Sequence, residues 1–337
     1  MDNQTKSNVG TYQKGVGNPP SVVGVVVVTY NGSHWIKRCL GSIKKDSITT
    51  RAYVIDNASS DNTVSMVKEN FPSAKLFTLE KNIGFGQANN IGMCQAISDG
   101  CDFILLLNQD AWFSDGSLSN LMEGFLSSEI DVISPIHLCG EGAKIDRNFF
   151  GYLTHGLQTN DTNRMLYRDA LLGQLKKSYP SNFLNAACWL FKSSLVEEVG
   201  LFDPFFFHYG EDTNYYQRLR YFQKSMGVVP TSFVFHDREG RGAVDSQSEP
   251  QLILELKRKL SDINFHQSFS TRYRQYVRHY YLRSAYYLLR GNFSESKKSW
   301  AIFRALIRLK PQLIKSINRN VNLQYDSTVF LSNYSNI

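Results

Sequence analysis

Residues 22–29 read VVGVVVVT, and this short, almost unbroken β-branched run decides how the rest of the chain is read. Branching at Cβ stiffens the side chain against a helix and suits a pleated strand. Continuity of apolar residues, in place of alternation, marks a strand buried on both faces, as in a parallel sheet. A turn at Asn31-Gly32 follows, and then Trp35, Ile36, Cys39, Leu40 and Ile43 recur at helical spacing behind Ser33, a candidate N-cap. The alternation continues with a strand at Tyr53-Val54-Ile55 ending on Asp56, a helix over Thr63–Phe71 stopped by Pro72, and a strand over Lys75–Leu79. A helix over Gln87–Ile97 and a strand over Phe103–Leu107 complete it, the strand running into Asn108-Gln109-Asp110. Repeated β-α units predict an α/β fold around an open, mostly parallel sheet, whose ligands bind beyond the carboxyl ends of the strands. Thr29-Tyr30, Asp56-Asn57, Asn82 and Asp110 all fall at such ends, so one cleft can collect them. No GxGxxG loop follows the first strand, which argues against a dinucleotide site.

The chain has 337 residues, 42% of them hydrophobic, which excludes wholesale disorder and allows one large domain or a core with an appendage. Its net charge of +7 is unevenly spread: residues 251–320 hold 15 Lys and Arg against Glu255, Asp262 and Glu295, a surplus of +12 that leaves −5 for the remainder. The basic character therefore belongs to the C-terminal part, and the body is not expected to grip a polyanion. Five cysteines (Cys39, Cys94, Cys101, Cys139, Cys188) show neither CxxC spacing nor a paired pattern, which fits a reducing cytoplasm. Residues 1–20 are polar without an apolar segment and read as a flexible tail, not a signal peptide. No run approaches eighteen apolar residues, so no spanning helix is expected. Residues 130–240 are less regular, with a helix from Thr213 to Phe222 and a strand ending at Phe235-His236, and 241–250 reads as a linker.

Three groups of residues carry possible chemistry. Asp56 after its apolar strand is suited to accept a hydrogen bond from a pyrimidine N3–H, although an Asx-turn is the commoner role for such a residue. Asp110 is placed to hold a divalent cation beside a diphosphate, because Mg²⁺ combines one or two carboxylates with phosphate oxygens. Glu211-Asp212 opens a helix, where acids are stabilised by the dipole, but a carboxylate there can also take a proton from a hydroxyl nucleophile. His236 ends an apolar strand; partnership with Asp110 would make it a metal ligand and not merely a structural histidine.

Thr29-Tyr30-Asn31, Asp56-Asn-Ala-Ser-Ser-Asp61, Asn82-Ile-Gly-Phe-Gly-Gln-Ala-Asn-Asn90, Asn108-Gln-Asp110, Gly200-Leu-Phe-Asp203, Glu211-Asp212 and His236 come in the order found in the family 2 glycosyltransferases. Over about residues 21–240 the chain resembles that family, most of all the bacterial subset containing rhamnosyltransferases and galactofuranosyltransferases. The resemblance implies a GT-A fold and an inverting transferase that uses Mg²⁺ or Mn²⁺. It places Thr29, Tyr30 and Asn31 at the nucleotide, Asp56 at the base, and Asn82 and Gly84 near the ribose and diphosphate. Asn108 and Asp110 occupy the family's DxD motif, with Asn108 in place of the first acid and Asp110 as metal ligand, joined by His236. Asp212 matches the catalytic base; Glu211 and Asn185 fall on the acceptor side, in a loop where Ala186 replaces a frequent glycine. The implied donor is a nucleotide-diphosphate sugar, dTDP-rhamnose first and a UDP-sugar such as a galactosyl or galactofuranosyl donor second. The implied acceptor is a lipid-linked saccharide of an O-antigen-like cell-surface polysaccharide. A sugar nucleotidyltransferase would need a glycine- and basic-rich loop that is missing. A degenerate, membrane-docked scaffold is opposed by the joint presence of Asp56, Asp110, Asp212 and His236.

In the basic C-terminal region, residues 251–337, helical spacing over 272–290 puts Tyr273, Tyr276, Val277, Tyr280, Tyr281, Tyr287 and Leu288 on one face between rows of arginine. Lys297–Lys315 repeats the theme with Trp300, Phe303 and Ile307. This pattern predicts association with an anionic membrane surface, on the cytoplasmic inner face of the plasma membrane. No RNA-recognition motif accompanies the charge, so nucleic acid is not an expected partner, and a homo-oligomer is left open.

Overall fold

The computed structural model describes residues 21–44, 47–155, 161–238 and 246–323, so the expected tail and the first half of the expected linker lie outside it. The first half follows the alternation read from the sequence: β1 (Val23–Thr29), α1 (Ile36–Ile43), β2 (Thr50–Asp56), α2 (Thr63–Asn70), β3 (Lys75–Thr78), α3 (Phe85–Ser98) and β4 (Phe103–Leu107). Then come β5 (Ala111–Phe113), α4 (Ser117–Leu126), β6 (Val132–Cys139), α5 (Arg147–His155), α6 (Asp161–Leu171), β7 (Tyr179–Ser181), β8 (Cys188–Lys192), α7 (Leu195–Val199), α8 (Glu211–Tyr221) and β9 (Met226–His236). Three helices close the described chain: α9 (Glu249–Ser261), α10 (Phe269–Leu289) and α11 (Phe293–Asn322).

Among the described residues the strands form one sheet in the order β3-β2-β1-β4-β8-β6-β9-β5, with β7 paired to β9. The stretch from β3 to β4 is parallel, as the continuous apolar runs require. Beyond β4 the sheet is mixed: β8 runs antiparallel to β4 and β6, β6 pairs parallel with β9, and β5 and β7 pair antiparallel with β9. The expectation of a mostly parallel sheet therefore describes only this first half. Because side chains alternate across a strand, Val23, Val25 and Val27 of β1 enter one core layer with Ile36, Leu40 and Val67 of α1 and α2. Val26 enters the opposite layer with Met93 and Cys94 of α3 and Tyr215 and Leu219 of α8. Strand order reverses at β1, between β2 and β4, and a crevice opens at their carboxyl ends.

The C-terminal helices share a core of Leu256, Leu260, Tyr273, Tyr280, Ile302, Leu306 and Leu313, against which Tyr276, Val277 and Phe205 also pack. This corrects two expectations. Helix α9 begins inside the stretch read as linker, and the aromatic face of α10 assigned to a membrane lies in large part inside the helical core. No helix among the described residues is long and apolar enough to cross a membrane.

Candidate active site

The crevice starts at the end of β1. Thr29, fully buried, donates its hydroxyl to Asp56 Oδ1 at 2.9 Å. Ser59 adds its hydroxyl to Oδ1 and its N–H to Oδ2, the latter at 3.0 Å. Three donors thus fix the Asp56 carboxylate at the carboxyl end of β2. Tyr30 leaves its ring exposed while the Gln109 amide spans its backbone, accepting from Tyr30 N at 3.0 Å and donating to Tyr30 O at 3.1 Å. Asn31, in the left-handed region at φ 47°, accepts from Ser60 N at 2.8 Å and donates its own N–H to Ser59 Oγ. Its part is to tie the β1–α1 loop to the β2–α2 loop.

Asn82 is built into the loop before α3, where its Oδ1 accepts from Asn57 Nδ2 and Gly84 N, both at 2.9 Å. Gly84 sits at φ +89°, and a Cβ there would stand 2.1 Å from Phe207 O, so no other residue fits. Phe85 N donates to the same Phe207 carbonyl at 3.2 Å. The Asn90 amide grips both the N–H and the carbonyl of Phe202, each at 2.9 Å. These contacts bind the Asn82–Asn90 loop to the segment that leads into Glu211-Asp212.

The next corner is made by strand pairing. Ala111 of β5 lies opposite His236 of β9, and Asp237 N donates to Asp110 O at 2.9 Å, so Asp110 and His236 become neighbours. His236 Nε2 stands 3.6 Å from Asp110 Oδ1, too far for a good hydrogen bond, and both of its ring nitrogens are buried without a hydrogen-bond partner. A buried imidazole facing a carboxylate across such a gap fits a divalent cation, which would draw on both. No group of three His, Cys, Asp or Glu suited to a metal is present among the described residues, so the remaining ligands would be water and phosphate oxygens. His137 packs edge-on to His236 at 5.9 Å and is kept neutral by burial and then by the nearby His236 and Arg238. Arg238 forks onto Asp146 with two bonds of 2.9 Å, which hold that carboxyl below its usual range although burial works the other way. The Oδ1 atoms of Asn108 and Asn185 are buried without hydrogen-bond partners.

The third corner is the start of α8. Gly210 caps it at φ +94°. Glu211 is buried, its Oε2 lacks a hydrogen-bond partner, and Gly86 packs close to its Cβ. Burial pushes its carboxyl up to about 8, with the Asp212 charge adding to the effect. Asp212 is half-buried and accepts from Thr213 N at 2.6 Å and Thr213 Oγ1 at 3.3 Å. Burial lifts Asp212 as well, but the Arg258 guanidinium, the Thr213 donors and the Ala186 N–H oppose it by favouring the charged form. Glu211 is thus biased toward its protonated form. The phenol of Tyr152, raised chiefly by burial, is influenced by Asp212 and Arg258 and also by Arg238 and Asp146.

The sequence motifs contain Asp203 and Gln109 without giving them a role, and do not include Arg258, Arg238 or Asp146. Asp203 is fully buried and accepts from Phe205 N at 3.0 Å and from Ser316 and Arg319 of α11. Lys257 of α9 donates to Phe205 O at 3.0 Å and lies over the Phe205 ring. The C-terminal helices thus hold the loop that delivers Asp212. The one available signal was Asp237-Arg238, adjoining His236; Arg258 and Arg319 had none.

A cleft assembled this way at the edge of this sheet is that of a GT-A glycosyltransferase. Residues 24–200, more than half of the chain, match the family model of glycosyl transferase family 2, and the chain belongs to that family. The match ends before Glu211, Asp212 and His236, whose roles rest on geometry. The chain is 24% identical over 239 residues to an N-acetylglucosaminyl-diphospho-decaprenol L-rhamnosyltransferase of Mycobacterium tuberculosis, covering 64% of this chain and 76% of that protein. It is 27% identical over 137 residues to the uncharacterized glycosyltransferase YwdF of Bacillus subtilis, covering 39% and 50%. Among solved structures, S. aureus TarS 1-349 in complex with UDP-GlcNAc aligns over 94% of this chain and 92% of that one, with TM-score 0.54 and 17% identity. GalNAc-T7 with UDP, GalNAc and Mn²⁺ aligns over 72% and 50%, with TM-score 0.50 and 15% identity. These likenesses support the fold.

Proposed function

We propose that the chain is an inverting glycosyltransferase that moves a sugar, rhamnose in first place, from a nucleoside-diphosphate donor to a hydroxyl of a lipid-linked saccharide. The geometry that carries this reading is the buried His236 facing Asp110 across 3.6 Å at the strand ends, together with Asp212 at the first turn of α8 accepting from Thr213 N and Oγ1. Asp212 takes the proton of the acceptor hydroxyl, whose oxygen forms a bond to the anomeric carbon. The bond from that carbon to the donor diphosphate breaks, its electron pair leaves with the nucleoside diphosphate, and one displacement inverts the configuration. Asp110 and His236 would hold a divalent cation, which when bound neutralises charge on the leaving diphosphate. Asp56 receives the N3–H of a thymine or uracil, and Tyr30 offers its ring beside it. The lipid-linked acceptor reading is supported by the name of the mycobacterial relative, and with such an acceptor the enzyme would work as a peripheral protein on the cytoplasmic face of a plasma membrane.

A UDP-sugar is the second donor reading, because the TarS structure carries UDP-GlcNAc. The test is a thermal-shift series with dTDP, UDP, dTDP-rhamnose and UDP-sugars, with and without Mg²⁺ or Mn²⁺. Stabilisation by dTDP and dTDP-rhamnose above the UDP ligands supports the first reading, and the reverse order supports the second. No stabilisation by any nucleotide would refute both.

A further inference from the structure

The α10–α11 hairpin holds its turn away from the catalytic body. Near the turn the two helices are locked together: Ser284 Oγ donates to Ser296 O at 3.0 Å, Ser296 Oγ to Ser284 O at 2.9 Å, and Arg283 bridges Glu295 at 2.9 Å. At the other end of α11, Ser316 and Arg319 are fixed on the buried Asp203. Twenty residues separate Ser296 from Ser316, so at 1.5 Å per residue the turn stands about 30 Å along the helix axis from that anchor.

A group of exposed apolar side chains lies at the turn. Leu289 is 88% exposed, Phe293 62% and Leu288 55%, and Leu282, Tyr286 and Trp300 are also exposed. Such large side chains lower their free energy by leaving water. A cationic collar surrounds them. From Arg283 to Lys298 there are four Lys and Arg and one acid, Glu295. That acid is already engaged by Arg283 and Lys298. The Arg290 guanidinium lies 4.9 Å over the Tyr286 ring, placing a cation at the rim of the apolar tip. An apolar tip inside a one-signed collar complements an anionic interface, with hydrocarbon below and phosphate at its edge.

We infer that the α10–α11 hairpin tip docks on an anionic lipid bilayer, with Leu288, Leu289 and Phe293 entering the acyl boundary and Arg290 and Lys297 meeting headgroup phosphates. The surface shares Leu288, Arg290 and Lys297 with the basic, aromatic segments expected from the sequence, whose Tyr273–Tyr280 part is occupied by the helical core. The inference rests on the lipid-linked acceptor reading only in preferring a membrane to other partners.

The test is flotation of the full chain with phosphatidylcholine vesicles, with and without about one third phosphatidylglycerol. Wild type is expected to float with the anionic vesicles and to be released by high salt. Leu289→Asp with Phe293→Asp should lower binding at least about tenfold, with unchanged thermal stability and nucleotide binding. Arg290→Gln with Lys297→Gln, which leaves the apolar tip intact, should weaken binding to anionic vesicles alone. Wild type that stays unbound, or the double aspartate variant floating as wild type does, would overturn the inference. So would sedimentation showing a dimer that the aspartates dissociate, because a second copy would then cover the tip. Vesicle binding without sugar transfer would keep this inference and remove the functional reading; transfer without vesicle binding would do the reverse.

Discussion

Replacing Arg319 by Met tests whether the C-terminal helices hold the loop of the base. The Asp203 carboxylate is fully buried and Arg319 nearly so, at 0% and 17% side-chain exposure. Removing the guanidinium strands a buried negative charge, which costs about 3–5 kcal/mol. Ser316 and Phe205 N still donate to Asp203, which places the loss near the lower end, about 3 kcal/mol. At about 2 °C per kcal/mol for a large domain, the midpoint of thermal unfolding should fall by about 6 °C. Asp203→Asn removes the charge itself and should cost about 1 kcal/mol, the worth of an ordinary hydrogen bond. The double variant should then be more stable than Arg319→Met alone, since no charge is left uncompensated. Asp203 opens the loop that ends at Glu211-Asp212, so turnover should fall in Arg319→Met with nucleotide affinity unchanged, and recover in part in the double variant. Thermal and urea unfolding of the three variants, with turnover under donor saturation, make the assay. A midpoint for Arg319→Met within about 1 °C of wild type, or a double variant as unstable as that single one, would refute the reasoning.

The remaining predictions concern the charges of the cleft. Turnover should rise with pH as Asp212 ionises, with an acid limb above the usual carboxylate range; Arg258→Met should move that limb to higher pH, and a pH–rate profile in which it stays put would remove Arg258 from the site. Glu211 binds its proton more tightly folded than unfolded, so its contribution is present below about 4.5 and lost as pH rises to about 8. Glu211→Gln should accordingly gain thermal stability relative to wild type at pH 8 and lose that gain near pH 4, whereas a constant difference would contradict the buried, protonated state. His236→Ala should weaken Mn²⁺-dependent nucleotide binding, read by calorimetry with and without the metal, and leave metal-free nucleotide binding unchanged. Equal metal dependence in the variant would take His236 out of the metal site.

Local chemistry made half of the fold legible. Val22–Thr29 and Phe103–Leu107 are continuous apolar runs because parallel strands are buried on both faces, so β1 to β4 and their strand-end residues could be placed from spacing alone. Strand direction beyond β4 is not written locally. β6 carries Ser134, Pro135 and His137 in a register interrupted at Pro135/Ile136, and its pairing with β9 depends on residues about a hundred positions away. The same holds at the site. Asp56, Asp110 and Asp212 follow apolar strands or open a helix and were visible, whereas Arg258 and Arg319 reach the cleft and its loop by folding of distant helices. Helical spacing identified an aromatic face on α10 but not its direction, because Leu252, Ile253, Leu256 and Leu260 of α9, which cover it, were not read as a helix. Nor does a motif show that Thr29 and Glu211 are buried, Thr29 with its hydroxyl on Asp56.

The central claim is that Asp212 serves as the base of a single inverting displacement. The most direct measurement follows the donor anomeric carbon by NMR during transfer to a saccharide acceptor, for wild type and for Asp212→Asn. The account predicts a product of inverted configuration from wild type, and an Asp212→Asn variant that folds and binds nucleotide as wild type does while turnover falls by roughly 10²–10⁴. A product with retained configuration, or near-normal turnover in Asp212→Asn, would contradict it.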